Sequence, residues 1–151
     1  MTELAVAPSL GFWSERVAIR TSGPRQFIDM TEEVSRCIAQ AGIRAGLAVV
    51  SSLHTTAALF INEHEPELLK DLDRLLTRLA PPGAGYLHNA VPCLPGEMPN
   101  GHSHCQSLLL QASVTLPILG GTLDIGRWQR IFFVELDSAR DRSVAVTLMG
   151  S

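Results

Sequence analysis

The chain has 151 residues and a net charge of −3, with 46% hydrophobic and 18% charged residues, proportions that exclude extensive disorder. Its Lys and Arg residues form no block and aromatic residues make up only 5%, so a nucleic-acid partner is not expected. No apolar run approaches the roughly 18 to 20 residues that cross a bilayer. The opening MTELAVAPSLGFW lacks the basic and apolar regions of a secretory leader. Cys37, Cys93 and Cys105 are an odd number without a Cys-x-x-Cys pair, which suits reduced thiols acting as small apolar residues. The expectation is one domain over 1–151, cytoplasmic, with no membrane partner.

FWSERVAIR alternates Val17 and Ile19 against Arg16, Ala18 and Arg20 and predicts a first strand. DMTEEVSRCIAQAG predicts a helix with Thr31 as cap, Glu32 and Glu33 in its first turn, Val34, Cys37, Ile38 and Ala41 on its buried stripe, and Gly42 at its end. GLAVVSSL and TAALFINE are rich in strand formers. They are separated only by His54-Thr55, so they form either one bent strand or two closely joined strands. PELLKDLDRLLTRLAP predicts a helix that opens on Pro66 and stops at Pro81-Pro82. Leu68, Leu69, Leu72, Leu75, Leu76 and Leu79 form its apolar side.

Residues 81–101 hold five of the nine prolines and predict a long irregular loop, a feature more often functional than passive. A short helix follows in NGHSHCQSLLLQ, with Asn100 or Ser103 as its cap. SVTLPIL, a Gly120-Gly121 turn, TLDI, WQRIFFVELD and RSVAVTLM predict four closing strands. Short connections between successive strands favour an α+β fold with a largely antiparallel, β-sandwich-like sheet and two or three helices.

Several motifs are absent: the Walker loop, the dinucleotide Gly-x-Gly-x-x-Gly and the nucleophile elbow. Gly96 with His102 and His104 imitates half of a cupin motif, but the glutamate that should follow is missing. His102 and His104 lie about 200° apart on a helix, so only one of them can face a given site. His64, between Glu63 and Glu65, reads as a solvated turn residue. His54, His88 and His104 sit on separate segments. Their spacing leaves two readings open: the three neutral imidazoles of an open zinc-type site, or scattered histidines. Glu135 shares a strand face with Ile131 and Phe133, and burying a carboxylate there is costly unless it is paired. Either it forms a salt bridge with an arginine such as Arg130 or Arg140, or it is a general acid/base or a partner orienting a metal-bound histidine.

HTTAALFINEHEPELLKDL, YLHN, NGHSHCQSLLLQASVTLP and GRWQRIFFVELD together resemble the YjbQ-like family, also called the secondary thiamine-phosphate synthase family. The resemblance runs from the first strand to the terminal LMG. It implies an α+β, β-sandwich-like fold and a homotrimer. His54, His88 and His104 match the family's recurrent histidines, implying a divalent metal, zinc or, for phosphate substrates, magnesium. Glu63 and Glu135 match as catalytic carboxylates, and Thr55, Thr56, Asn62, Asp71, Ser107, Ser113 and Gln129 as substrate-binding positions. The implied activity joins a pyrimidine diphosphate to a thiazole phosphate with release of pyrophosphate. The sequence departs from the family pattern at Gln106, where a basic residue is common, at Gln111, where glycine is common, at Arg127, and at Ser138-Ala139. A small-molecule or metal-binding module without turnover and a trimeric scaffold are the alternatives to an enzyme.

Overall fold

The computed structural model describes residues 9–151; the start of the segment read for a leader, residues 1–8, lies outside them. Among the described residues, eight strands form two antiparallel sheets, accompanied by three α-helices. The five-stranded sheet has β1 (Gly11–Arg20), β8 (Asp141–Gly150), β3 (Ala45–Ser52), β5 (Ser113–Leu119) and β6 (Thr122–Leu123) in that order. The three-stranded sheet has β2 (Gln26–Asp29), β7 (Arg130–Glu135) and β4 (Ala57–Asn62). This is the expected α+β class, with β2 an element that sequence pattern missed.

The strands of the larger sheet alternate because only one of its faces is covered. Val17 and Ile19 of β1, Val114, Leu116 and Ile118 of β5, and Val144, Val146 and Leu148 of β8 all point into one core. β7 differs, since every residue from Ile131 to Leu136 is buried. It lies between two clusters: Ile131 and Phe133 join the main core, while Val134 and Leu136 pack with Ala58 of β4 and with Leu76 of helix α2 (Pro66–Leu79). Each fully buried Phe or Ile in such a strand contributes about 1.5–3 kcal/mol.

Helix α1 (Thr31–Ala41) buries Val34, Cys37 and Ile38 as its spacing predicts, and Gly42 closes it at φ 69°. Thr31 does not cap it. Thr31 is the first helical residue, and Asp29 Oδ1 accepts its N–H at 2.9 Å. The Thr31 hydroxyl oxygen instead accepts the Ile131 N–H at 2.9 Å, tying the helix to β7. In α2 the Glu65 carboxylate caps the start, accepting from the Glu67 and Leu68 N–H groups. Of its apolar side only Leu76 is buried, and Leu75 and Leu79 stay 49% and 59% exposed.

β3 and β4 belong to different sheets, which settles the choice between a bent strand and two joined strands. Residues 53–56 cross from one sheet to the other, and His54 stands on that crossing. The long loop carries one 3₁₀ turn at Leu87–Ala90 and leads into helix α3 (Gly101–Leu108). No helix among the described residues is long and apolar enough to cross a membrane.

Candidate functional site

The crossing segment, the end of the long loop, the start of α3 and the turn into β8 converge on one cleft. Two adjoining cavities make it up. One, of about 320 Å³, is lined by His54, Thr55, Thr56, Asp137, Arg140 and Arg142. The other, of about 210 Å³, is lined by His88, Cys93 and the surrounding loop. Glu97, Asn100 and His104 line both.

Beneath the first cavity lies a buried ion pair. Arg142 Nε and Nη2 each donate to Glu135 at 2.6 Å in a bidentate arrangement, and Nη2 also donates to Thr56 Oγ1 at 3.1 Å. Glu135 further accepts from Thr21 Oγ1 at 3.1 Å and from the Asp137 N–H at 3.0 Å. Its side chain is wholly buried, so it acts on the cleft through Arg142 rather than by touching a ligand. Neither arginine suggested by sequence is its partner. Arg130 binds Asp29 and Glu32 instead, and Arg140 binds Asp137 and Glu97. A bidentate pair with extra hydrogen bonds is the geometry in which burial of two charges is tolerated.

His54 receives the Ser143 N–H on Nε2 at 2.8 Å. That bond uses the Nε2 lone pair, so the neutral ring carries its hydrogen on Nδ1. Burial and the Arg142 charge push its pKa below the usual histidine value, against the opposing pull of Glu135. His104 and His88 meet edge to face, with ring centroids 4.7 Å apart. Burial, then the neighbouring His88, lowers the His104 pKa, while Asp137 opposes. At neutral pH His54 and His104 are therefore uncharged imidazoles. His102 leaves this cluster as helix geometry requires: it sits near Arg25, with Nε2 3.2 Å from Ser103 Oγ.

Asn100 precedes α3 but makes no side-chain cap; its Nδ2 donates to Asp137 Oδ2 at 3.1 Å. The loop docks on α3 at Gly101, whose N–H donates to Asn89 Oδ1 at 2.9 Å. A Cβ at that position would stand 2.6 Å from Tyr86 Cβ, so only glycine admits this close approach. That contact brings His88 to His104.

The three histidines thus line one cleft, but among the described residues no three His, Cys, Asp or Glu side chains converge as a metal site. Two imidazoles touch, while the third has its Nε2 occupied by Ser143. A metal held by all three would need His54 to give up that bond, so this arrangement does not fit a three-histidine centre.

The remaining expected site residues divide. Thr55 and Thr56 are in the cleft. Glu63 is not, and lines a separate cleft with His64 and Trp128. Asn62 pairs with Arg130 across β4 and β7, and its Oδ1 accepts the Glu63 N–H. Gln129 Oε1 accepts the Gly126 N–H at 2.7 Å in the turn before β7. Asp71 is exposed on α2 and pairs with Arg74, Ser107 is half-buried on α3, and Ser113 is exposed opposite Ser51. Gln106 is fully buried and donates to the Leu76 and Ala80 carbonyls, so it ties α3 to the end of α2. A basic residue at that place would not have faced the cleft in this arrangement.

Sequence reasoning missed Asp137 and Arg142, and offered Arg140 only as a partner for Glu135 rather than as a residue of the cleft. The signal for Arg142 was available, because it shares a strand face with Val144, Val146 and Leu148, the same anomaly that marked Glu135.

Comparison with known proteins joins this geometry to a family. Residues 15–151 match the family model described as UPF0047 protein YjbQ-like. A UPF0047 protein of Methanothermobacter thermautotrophicus is 40% identical over 91% of this chain and 92% of its own. Bacillus subtilis UPF0047 protein YugU is 32% identical over 87% of this chain and 96% of its own. Among solved structures, a YbjQ-like protein of unknown function from Sulfolobus solfataricus superposes with a TM-score of 0.87 at 28% identity, covering 95% of this chain and all of that one. A hypothetical protein from Aeropyrum pernix gives 0.83 at 34% identity, covering 92% and 99%. Matched along nearly its whole length in sequence and in fold, the chain belongs to the YjbQ-like UPF0047 family.

Proposed function

We propose that the cleft of His54, His88 and His104 is the site of a small-molecule reaction of the kind its family resemblance implies. That reaction couples a pyrimidine diphosphate to a thiazole phosphate. The thiazole nitrogen forms the new C–N bond, the bond to the diphosphate breaks, and pyrophosphate leaves with the electron pair. The observation that carries this reading is the meeting of two imidazoles, His54 and His104, with two guanidiniums, Arg140 and Arg142, in one polar cleft. The arginines supply positive charge for a phosphate-bearing ligand, and a neutral imidazole supplies an N–H hydrogen-bond donor to the leaving diphosphate oxygens.

Both guanidiniums already face carboxylates, Glu135 for Arg142 and Asp137 with Glu97 for Arg140. Two positive charges against three negative ones leave the lining short of charge for a free diphosphate. A divalent cation therefore belongs to the proposal, magnesium carried in with the diphosphate, since the three histidines as arranged do not form a zinc centre.

The test is turnover of the two phosphorylated precursors by purified protein, with and without zinc or magnesium. Product formation that falls at least tenfold in His104→Ala, in folded protein, supports the enzyme. Tight retention of either precursor without turnover overturns it in favour of a binding module. The homotrimer is proposed on a second observation, the apolar groove between α2 and the end of α3 lined by Phe27, Phe60, Leu75, Leu79 and Leu109. A second copy of the chain would cover it.

A further inference from the structure

The Glu63 cleft, of about 560 Å³, opens beside the three-stranded sheet at the start of α2. His64, expected as a solvated turn residue, is held there on two sides. Its Nδ1 lies 3.0 Å from Asp29 Oδ2, and its ring stands edge-on to Phe132 with centroids 5.3 Å apart. Burial alone would raise the Asp29 carboxyl, but hydrogen bonds from Thr31, Arg130 and His64 outweigh it and lower its pKa to about 2. Asp29 is therefore a carboxylate that can only accept, so Nδ1 of His64 carries the hydrogen. In the tautomer with its hydrogen on Nδ1, Nε2 is left as an acceptor.

The other walls of the cleft are equally specific. Trp128 is 62% exposed on a turn fixed by the Gln129–Gly126 hydrogen bond. The Arg127 guanidinium lies 4.9 Å over its indole and has no carboxylate partner among the described residues. Arg130 is already engaged by Asp29 and Glu32, and the start of α2 is filled by its own Glu65 cap. What remains open to a ligand is an indole surface, an imidazole acceptor, the Glu63 carboxylate and one guanidinium. The volume falls within the range of about 300–1,000 Å³ usual for small-ligand sites. Stacking on the indole favours a flat ring, the two acceptors favour a donor substituent on it, and the guanidinium favours an acid.

We propose that this second cleft binds a small aromatic acid bearing an amino or hydroxyl group, its ring against Trp128, its donor on His64 Nε2 and its carboxylate on Arg127. His64 here positions the ligand, and Asp29 fixes the tautomer that lets it accept.

The chain has two tryptophans, so a Trp13→Phe protein reports on Trp128 alone. In it, 3-aminobenzoate should quench fluorescence saturably and bind at least fivefold more tightly than benzoate, which lacks the donor, or aniline, which lacks the acid. His64→Phe keeps a ring against Phe132. It should erase the preference for 3-aminobenzoate over benzoate and leave benzoate binding unchanged. Arg127→Gln should erase the preference over aniline. His104→Ala should change none of these values, which separates this cleft from the first. The proposal is overturned if no probe saturates, if the three bind equally, if His64→Phe keeps the preference in a protein whose amide spectrum remains dispersed, or if His104→Ala abolishes binding.

Discussion

Glu135 and Arg142 are each a charge on a strand face that is otherwise apolar, and each explains the other. Removing one member of such a buried pair leaves an unpaired charge and costs about 3–5 kcal/mol, so both anomalies persist only together. The same pair bears on His54, whose pKa is lowered by burial and by the Arg142 charge against the opposing pull of Glu135. His102 and His104 are lowered as well, burial being the largest cause in each. The unfolded chain, with histidines near the ordinary 6.5, therefore takes up protons before the folded one does. Stability from these groups is full above about pH 6.5 and is lost as pH falls below it toward the lowered folded values. The urea midpoint should be lower at pH 5.5 than at pH 7.5, with a smaller drop in His54→Gln, and an equal drop in that variant would contradict the assignment. Asp29 does not enter that window. Its stabilisation holds above its ordinary 3.8 and is lost only as pH falls toward about 2.

Among the elements, α1, α2 and α3 all form where the sequence places them, and what fails is the side-chain cap expected for α1 and for α3. Helical spacing located the buried stripe of α1, and Pro66 marked the first turn of α2, because these are local properties of the chain. Helix α3 is short, lacks a side-chain cap and depends on what packs against it. The decisive contact is the loop seated on Gly101, where a Cβ would also meet Asn89 Oδ1 at 2.9 Å. Gly101→Ala should push the 3₁₀ turn off α3 and cost about 1–3 kcal/mol, the usual range for overpacking. The informative measurement is nuclear Overhauser contact between the His88 and His104 rings, which should vanish while the α3 amides stay protected. Persistence of that contact would show that something other than Gly101 seats the loop.

At the scale of the whole molecule, the exposed leucines of α2 and the split of family-matched residues between two clefts are the features no single element explains. If a second copy covers the apolar groove, Leu79→Glu should shift sedimentation from a trimer toward a monomer. The midpoint of the dissociated chain should change little, because that side chain is 59% exposed. A wild-type protein that sediments as a monomer would end the proposal. Sequence by itself determined the α+β class, most of the strands and helices, and the three histidines on their three segments, since alternation, helical periodicity and turn residues are local physical constraints. It also determined that His102 and His104 must part, because the pitch of a helix alone dictates that. Only the tertiary structure decided that β3 and β4 lie in different sheets, that Glu135 pairs with Arg142, and that Ser143 takes the lone pair of His54. It also decided that His64, the histidine that looked least promising, stands against Asp29. Those outcomes depend on which distant backbone groups meet, and 35 residues separate His64 from Asp29 while 89 separate His54 from Ser143. A pattern read along the chain carries no information about that approach until sheet pairing brings the partners together.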